Sequence, residues 1–233
     1  IIFFIYIQGK VSKPTEVTID EVNLLQFIDS CVRKYVNDAV DIMLPQGGFI
    51  DPEHSKIHED INVSYLCYNR GNYHPCINQH PLLLNEMSNE IEEYIEGRVD
   101  SCFSDLKREL EKRNKEISLG AMSLDVALGP NRVYVDIDRK ILLSKNNVSI
   151  SFENFDVVVL NPIYNLGRIA MEIASQEAQH CYFEYVGYMI LYPDFKISKF
   201  PMSDSTIIYT ITDKESGKDL KVAIRGCAIP PGL

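Results

Sequence analysis

At 233 residues, with 45% hydrophobic and 24% charged side chains, the chain is long and apolar enough to bury a real core. Thirty-three acidic against 23 basic residues leave a net charge of −10, which argues against nucleic acid and against electrostatic docking on anionic lipid. The acidity itself reads as solubility.

The run Ile1-Ile2-Phe3-Phe4-Ile5-Tyr6-Ile7-Gln8 is almost wholly apolar and stops at Gly9-Lys10. It is too short to cross a bilayer, which needs about 20 residues. It reads either as a buried N-terminal strand or as the outer end of a transmembrane or filament-core helix. Lys10, Ser12, Lys13 and Pro14 resemble an exit into water and favour the second reading. Residues 1–14 are therefore expected to be the end of an anchor helix and a linker.

Residues 15–115 are expected to be mainly helical. Thr18-Ile19-Asp20-Glu21 has the form of a capping box, a hydroxyl followed three residues later by a carboxylate. It opens a helix to about Leu44, with Val22, Leu25, Ile28, Val32, Val36, Ala39 and Met43 on one stripe. Pro45 ends it, and Gln46-Gly47-Gly48 supplies residues that tolerate positive φ. From 49 to 82 the composition shifts to Asn, His, Gly, Pro and Tyr, which predicts a loop-rich insertion with a short strand at Val63 to Tyr68. A second helix spans about Leu83 to Asn114, its seam formed by Leu84, Met87, Ile91, Ile95, Val99, Cys102, Leu106 and Leu110.

Residues 116–233 read as β-rich with one helix. Ile117/Leu119, Leu124/Val126/Leu128, Val133/Val135/Ile137, Val148/Ile150/Phe152 and Val157 to Leu160 alternate as successive strands. Gly129-Pro130-Asn131 and Lys145-Asn146-Asn147 mark turns. A third helix is expected from Leu166 to Leu191, then a hairpin of Thr206 to Thr212 with Leu220 to Arg225. The predicted class is α+β: two long amphipathic helices packed on an antiparallel meander of about four strands, with a third helix and a C-terminal hairpin.

The pentapeptide Ile28-Asp29-Ser30-Cys31-Val32 recurs as Val99-Asp100-Ser101-Cys102-Phe103, once in each long helix. Antiparallel packing would let the two cysteines face each other as an interhelical staple. An even count of six cysteines beside an apolar start favours disulfides over reduced core thiols. Cys67 and Cys76 would close a short loop, and Cys181 with Cys227 follows only by elimination. Disulfides place the protein outside the cytoplasm, where the sequons at Asn62 and Asn147 could carry glycans.

Candidate chemistry is sparse. Cys67, His74, Cys76 and His80 have zinc-ligand identities but lack the close cysteine pair of common zinc sites. His54 and His58, with Glu59 and Asp60 beside them, would share a helix face at i and i+4, yet Pro52 keeps any such helix short. Asp29 and Asp100 read as flanks of buried cysteines rather than paired acids. Neither a nucleophile elbow nor a phosphate-binding glycine loop is present in the sequence. Tyr182, Phe183, Tyr185, Tyr188 and Tyr192 read as core and boundary packing or as a sticky contact surface.

Phe27-Ile28-Asp29-Ser30-Cys31, Gln46-Gly47-Gly48-Phe49-Ile50, Tyr65, the helix start Asn89 to Tyr94 and Val99-Asp100-Ser101-Cys102 together resemble a family of uncharacterised archaeal membrane-anchored extracytoplasmic proteins. That family combines a cysteine-bearing helix, a Gln-Gly-Gly-aromatic-Ile turn and a second cysteine helix. Its N-terminal segment is similar to that of type IV pilins. The resemblance covers roughly the first 160 residues. It implies an anchor or filament helix at the N-terminus and no established enzymatic activity. The extra pair Cys67 and Cys76 and the shortened start depart from the pattern.

The combined expectation is a cell-surface structural or interaction protein, membrane-anchored or polymerised as a homo-oligomer through its N-terminal helix, without cofactor, nucleic acid or catalysis. The alternative is an extracellular metal-dependent enzyme or ligand-binding ectodomain that uses His54, His58, His74 and His80.

Overall fold

In the computed structural model, which describes residues 19–113, 115–145 and 148–229, helix α1 covers Ile19–Met43 and ends in a 3-10 turn at Leu44–Gln46. Pro45 cannot extend the helix, and Gly47 (φ 84°) and Gly48 (φ 97°) turn the chain back in a left-handed conformation. The Gly48 N–H donates to the Met43 carbonyl at 2.9 Å, which satisfies one of the helix's terminal acceptors. The chain continues through β1 (Ser55–His58), β2 (Ile61–Tyr68), β3 (Ile77–Asn78) and α2 (Leu83–Lys112). Then come β4 (Glu116–Gly129), β5 (Arg132–Lys145), β6 (Val148–Leu160), α3 (Ile163–His180) and α4 (Tyr185–Leu191), and finally β7 (Phe195–Pro201), β8 (Ile207–Asp213) and β9 (Asp219–Arg225). The class is α+β, with four helices and two sheets among the described residues.

Leu24, Ile28, Val32, Val36, Ala39, Val40 and Met43 form the buried side of α1. Ile28, Val32, Val36, Ala39 and Met43 lie on the expected stripe, but at its start Leu24 is buried in place of Leu25, which is 45% exposed. On α2 the buried set is Leu83, Met87, Ile91, Ile95, Val99, Cys102, Phe103, Leu106 and Leu110, with Leu84 only partly buried at its edge. Each fully buried aliphatic side chain of this kind contributes roughly 1.5–3 kcal/mol. Thr18 and residues 1–14, the expected end of an anchor helix and linker, lie outside the described residues, and no helix among the described residues is long and apolar enough to cross a membrane.

Strands β4, β5 and β6 form one antiparallel sheet of three long strands, where about four shorter ones were expected. The reason lies in two bulges. In β4 the inward residues are Ile117 and Leu119 before the register shift at Leu119/Met122, and Leu124, Val126 and Leu128 after it. In β6 Phe152 faces the core on one side of a similar shift, and Phe155, Val157 and Val159 on the other. Each bulge sets one extra residue in one strand, in β4 against β5 and in β5 against β6, so the parity of alternation in β4 and β6 slips against that of β5 while the strands continue. Parity flips read as strand breaks in the sequence.

The second sheet has the order β1-β2-β9-β8-β7, with β3 attached to β2. All neighbours are antiparallel except β2 and β9. Strand β2 contains the short strand expected at Val63 to Tyr68, but it is an interior strand joined to the C-terminal part of the chain, so 49–82 is part of the second sheet and not a separate loop-rich insertion. Val63 through Cys67 are buried without interruption. Apolar cover on both faces removes the period-two signal. Strand β7 was not anticipated, and the expected third helix is broken in two. Cys181 (φ 57°) caps α3 in the left-handed region, and α4 starts afresh after Phe183.

Candidate functional site

Three disulfides tie these elements together. Cys31–Cys102 joins α1 to α2 with a Cα separation of 6.6 Å. Cys67–Cys76 clips β2 to the segment before β3, and Cys181–Cys227 joins the end of α3 to the segment after β9. Cys181 and Cys227 both have positive φ (57° and 48°), a conformation that non-glycine residues hold only where the surroundings impose it. With both sulfurs in a disulfide, Cys67 and Cys76 cannot serve as thiolate ligands, so the zinc arrangement with His74 and His80 is excluded.

The histidines do not converge. His54 is exposed before β1, its ring 5.0 Å from Tyr65 and edge-on to Tyr68 at 4.5 Å. His58 ends β1 and lies 5.1 Å from the Phe200 ring on β7. The segment is a hairpin and not a helix, so the expected i,i+4 helical face does not form. His74 is exposed, and its carbonyl accepts the Cys227 N–H at 2.6 Å. His80 lies against Phe49 and pairs with Glu86 through Nδ1 at 2.5 Å. Among the described residues, no group of three or more His, Cys, Asp or Glu is arranged to hold a metal ion.

The hairpin instead closes a second small core of Val63, Tyr65, Ile208 and Ala223. A polar rim surrounds it. The Tyr65 and Thr206 hydroxyls share a hydrogen bond of 2.9 Å, Lys56 Nζ meets Asp204 Oδ2 at 2.6 Å, and Lys221 Nζ meets Glu59 at 2.5 Å. Burial pushes the Tyr65 phenol above its ordinary range, and the Thr206 hydrogen bond only partly offsets this. Burial also works to raise Asp204, but hydrogen bonds from Lys56 and Thr206 outweigh it and hold the carboxyl low. Lys56 is held high, first by that same hydrogen bond to Asp204. These groups answer one another across strands and form a polar rim around the small core.

The repeated Asp-Ser-Cys segments do structural work of two kinds. Ser30 and Ser101 both donate back to a carbonyl of their own helix, those of Phe27 and Gly97 at 3.0 and 2.9 Å. Asp29 pairs with Arg33 one turn on, whereas Asp100 reaches Arg139 of β5 at 2.7 Å. The two aspartates bind separate arginines and do not form an acid pair.

The aromatic run divides in the same way. Phe183 is buried, 5.5 Å from the Tyr188 ring and 6.1 Å from that of Tyr209. Tyr182 and Tyr192 are half exposed, and α4 turns Val186, Ile190 and Leu191 outward, the last two about three-quarters exposed. Glu177 escaped sequence reasoning because it looks like an ordinary polar helix residue. It is buried beneath this run, accepts the Tyr209 hydroxyl and lies 3.8 Å from Lys199 Nζ. A row of aspartates also went unread. Asp125, Asp136 and Asp156 stand directly opposite one another on the exposed face of the three-stranded sheet. Polar alternation along β4, β5 and β6 was its signal, but register was needed to align them. Comparison with protein-family models, with curated proteins and with solved structures finds no match to this chain.

Proposed function

We propose that the protein is an extracytoplasmic cell-surface structural or interaction protein, anchored or assembled through its apolar N-terminal segment and without catalysis of its own. The observation that carries this reading is the set of three disulfides, which join separate elements and persist only where the compartment is oxidising. The two long amphipathic helices, stapled at Cys31–Cys102 and laid along the three-stranded sheet, would act as a stiff body able to transmit load. Exposed apolar residues on α4 would supply contacts to neighbouring copies, and head-to-tail contacts of that kind generate open filaments. Asn62, exposed on β2, is accessible to glycosylation in such a setting.

Electron microscopy of native material, with thiol titration of the same sample, tests the reading. Filaments or membrane-attached arrays without free thiols are expected. Monodisperse particles with six reactive thiols would overturn it.

A further inference from the structure

Where the two sheets approach each other, three turns frame a cleft: the β4–β5 turn at Asn131, the entry to α3 at Asn161–Asn165, and the β8–β9 turn at Asp213–Ser216. It has two adjoining lobes of about 430 and 220 Å³, which share Asn131, Asp213 and Glu215. That is the size range of small-molecule sites.

The frame is rigid. The Asn161 N–H donates to the Asn131 carbonyl at 3.0 Å, and the Asn161 side chain, 3% exposed, bonds the Ile163 N–H and Asn37. Asp213 is 7% exposed, and its Oδ1 accepts both the Ser216 N–H and the Ser216 hydroxyl at 2.7 Å. Lys214 Nζ donates to the Pro193 carbonyl at 2.6 Å, which ties the hairpin tip to the wall of the smaller lobe.

The same bonds leave a defined set of groups for a ligand. Asn165 Nδ2 donates to Asn131 Oδ1, so the Asn131 amide retains its donors and Asn165 its acceptor. Asp213 retains Oδ2, and the carboxylates of Glu215 and Asp194 line the walls. Leu160, Pro193 and Phe195 add apolar surface, Leu160 being 74% exposed. Three carboxylates against one committed lysine repel phosphates and other anions. Donors mixed among the acceptors are more than an ammonium or metal cation would use. A group that both donates and accepts is a hydroxyl, and a ligand with several hydroxyls and an apolar face is a sugar ring.

We propose that this cleft is a binding site for a neutral saccharide, its hydroxyls held by Asn131, Asn165, Asp213 and Glu215 and its ring face set against Leu160 or Phe195. The site is independent of the surface-assembly role, since a chain that forms no assembly would still carry the cleft.

Saturation-transfer NMR on the full oxidised chain tests it, with mannose, galactose, N-acetylglucosamine, maltose and cellobiose as probes and spermidine and inorganic phosphate as controls. Transfer to at least one sugar is expected, and none to phosphate. N165A combined with E215Q, the first at a partly buried and the second at an exposed position, should weaken that sugar about tenfold without shifting the melting temperature. D213N, at the buried position that holds the Ser216 turn, serves as a second variant, checked for folding by circular dichroism. Absence of transfer to every sugar, transfer to spermidine alone, or sugar binding unaltered by N165A with E215Q would each overturn the assignment.

Discussion

Tyr209 on β8 donates its hydroxyl to the carboxylate of Glu177 on α3, and both side chains are buried. The bond fastens a helix to the middle of the second sheet. It also satisfies an acidic group that would otherwise be stranded in an apolar setting, with Lys199 supplying partial compensation 3.8 Å away.

Tyr209→Phe keeps the ring and removes the donor, so Glu177 loses its hydrogen bond. A loss of about 1–3 kcal/mol is expected, measured by chemical denaturation. The double change Tyr209→Phe with Glu177→Leu should recover part of that loss, because it removes both polar partners together.

The same pair sets an alkaline limit. Burial, then the hydrogen bond and charge of Glu177, push the Tyr209 phenol far above its ordinary value. A folded pKa raised above the unfolded one gives stability that is complete below the unfolded value. It is lost once the unfolded chain can ionise and the folded one cannot, above about pH 10. Melting temperature should therefore fall above that pH. Tyr209→Phe should flatten the fall but not abolish it, since burial also raises Tyr65 and Tyr188.

Removing Cys31–Cys102 should cost more than removing Cys67–Cys76. The first closes a separation of 71 residues and the second a separation of 9. Loop-closure entropy alone sets the difference at about 2 kcal/mol. Paired serine variants compared under non-reducing denaturation would show whether the order holds.

Arg139 points inward from β5 with its guanidinium 4.9 Å from the Phe103 ring, and its buried Nε has no hydrogen-bond partner. Asp100 answers it but is half exposed, which screens the pair. Asp100→Asn should therefore cost only about 1 kcal/mol. Arg139→Met, which fills similar space without a charge, is expected to be neutral or stabilising. A marked loss with Arg139→Met would mean that the charge, not the volume, is needed there.

Gly47→Ala is expected to destabilise by about 2 kcal/mol or more, for two reasons that add. The backbone is left-handed there, and a new Cβ would stand 2.8 Å from Ser64 Cβ and 3.1 Å from its backbone nitrogen. Thermal unfolding of the variant would reveal whether the turn after α1 can relax.

What the chain's own pattern determined is local. The spacing of Ile28, Val32 and Val36, and of Met87, Ile91 and Ile95, is a 3.6-residue repeat that any packing partner would have to respect. Pro45 with Gly47-Gly48 likewise specifies a stop and a reversal wherever the helix is placed. Tertiary structure alone decided the rest. Bulges reversed the alternation of β4 and β6, so continuity depended on hydrogen bonding to β5. Strand β2 has cover on both faces, and its partner β9 lies at the far end of the chain. Cys181 took a left-handed backbone at the end of α3, which its helical neighbours do not announce, whereas its bond to Cys227 is the pairing that elimination left. The cleft is assembled from three turns that the sequence keeps apart, and the carboxylate row exists only once three strands are in register. Periodicity records which face of one element is apolar. It carries no record of which distant element will cover that face, because that choice rests on the summed burial and pairing of the whole chain.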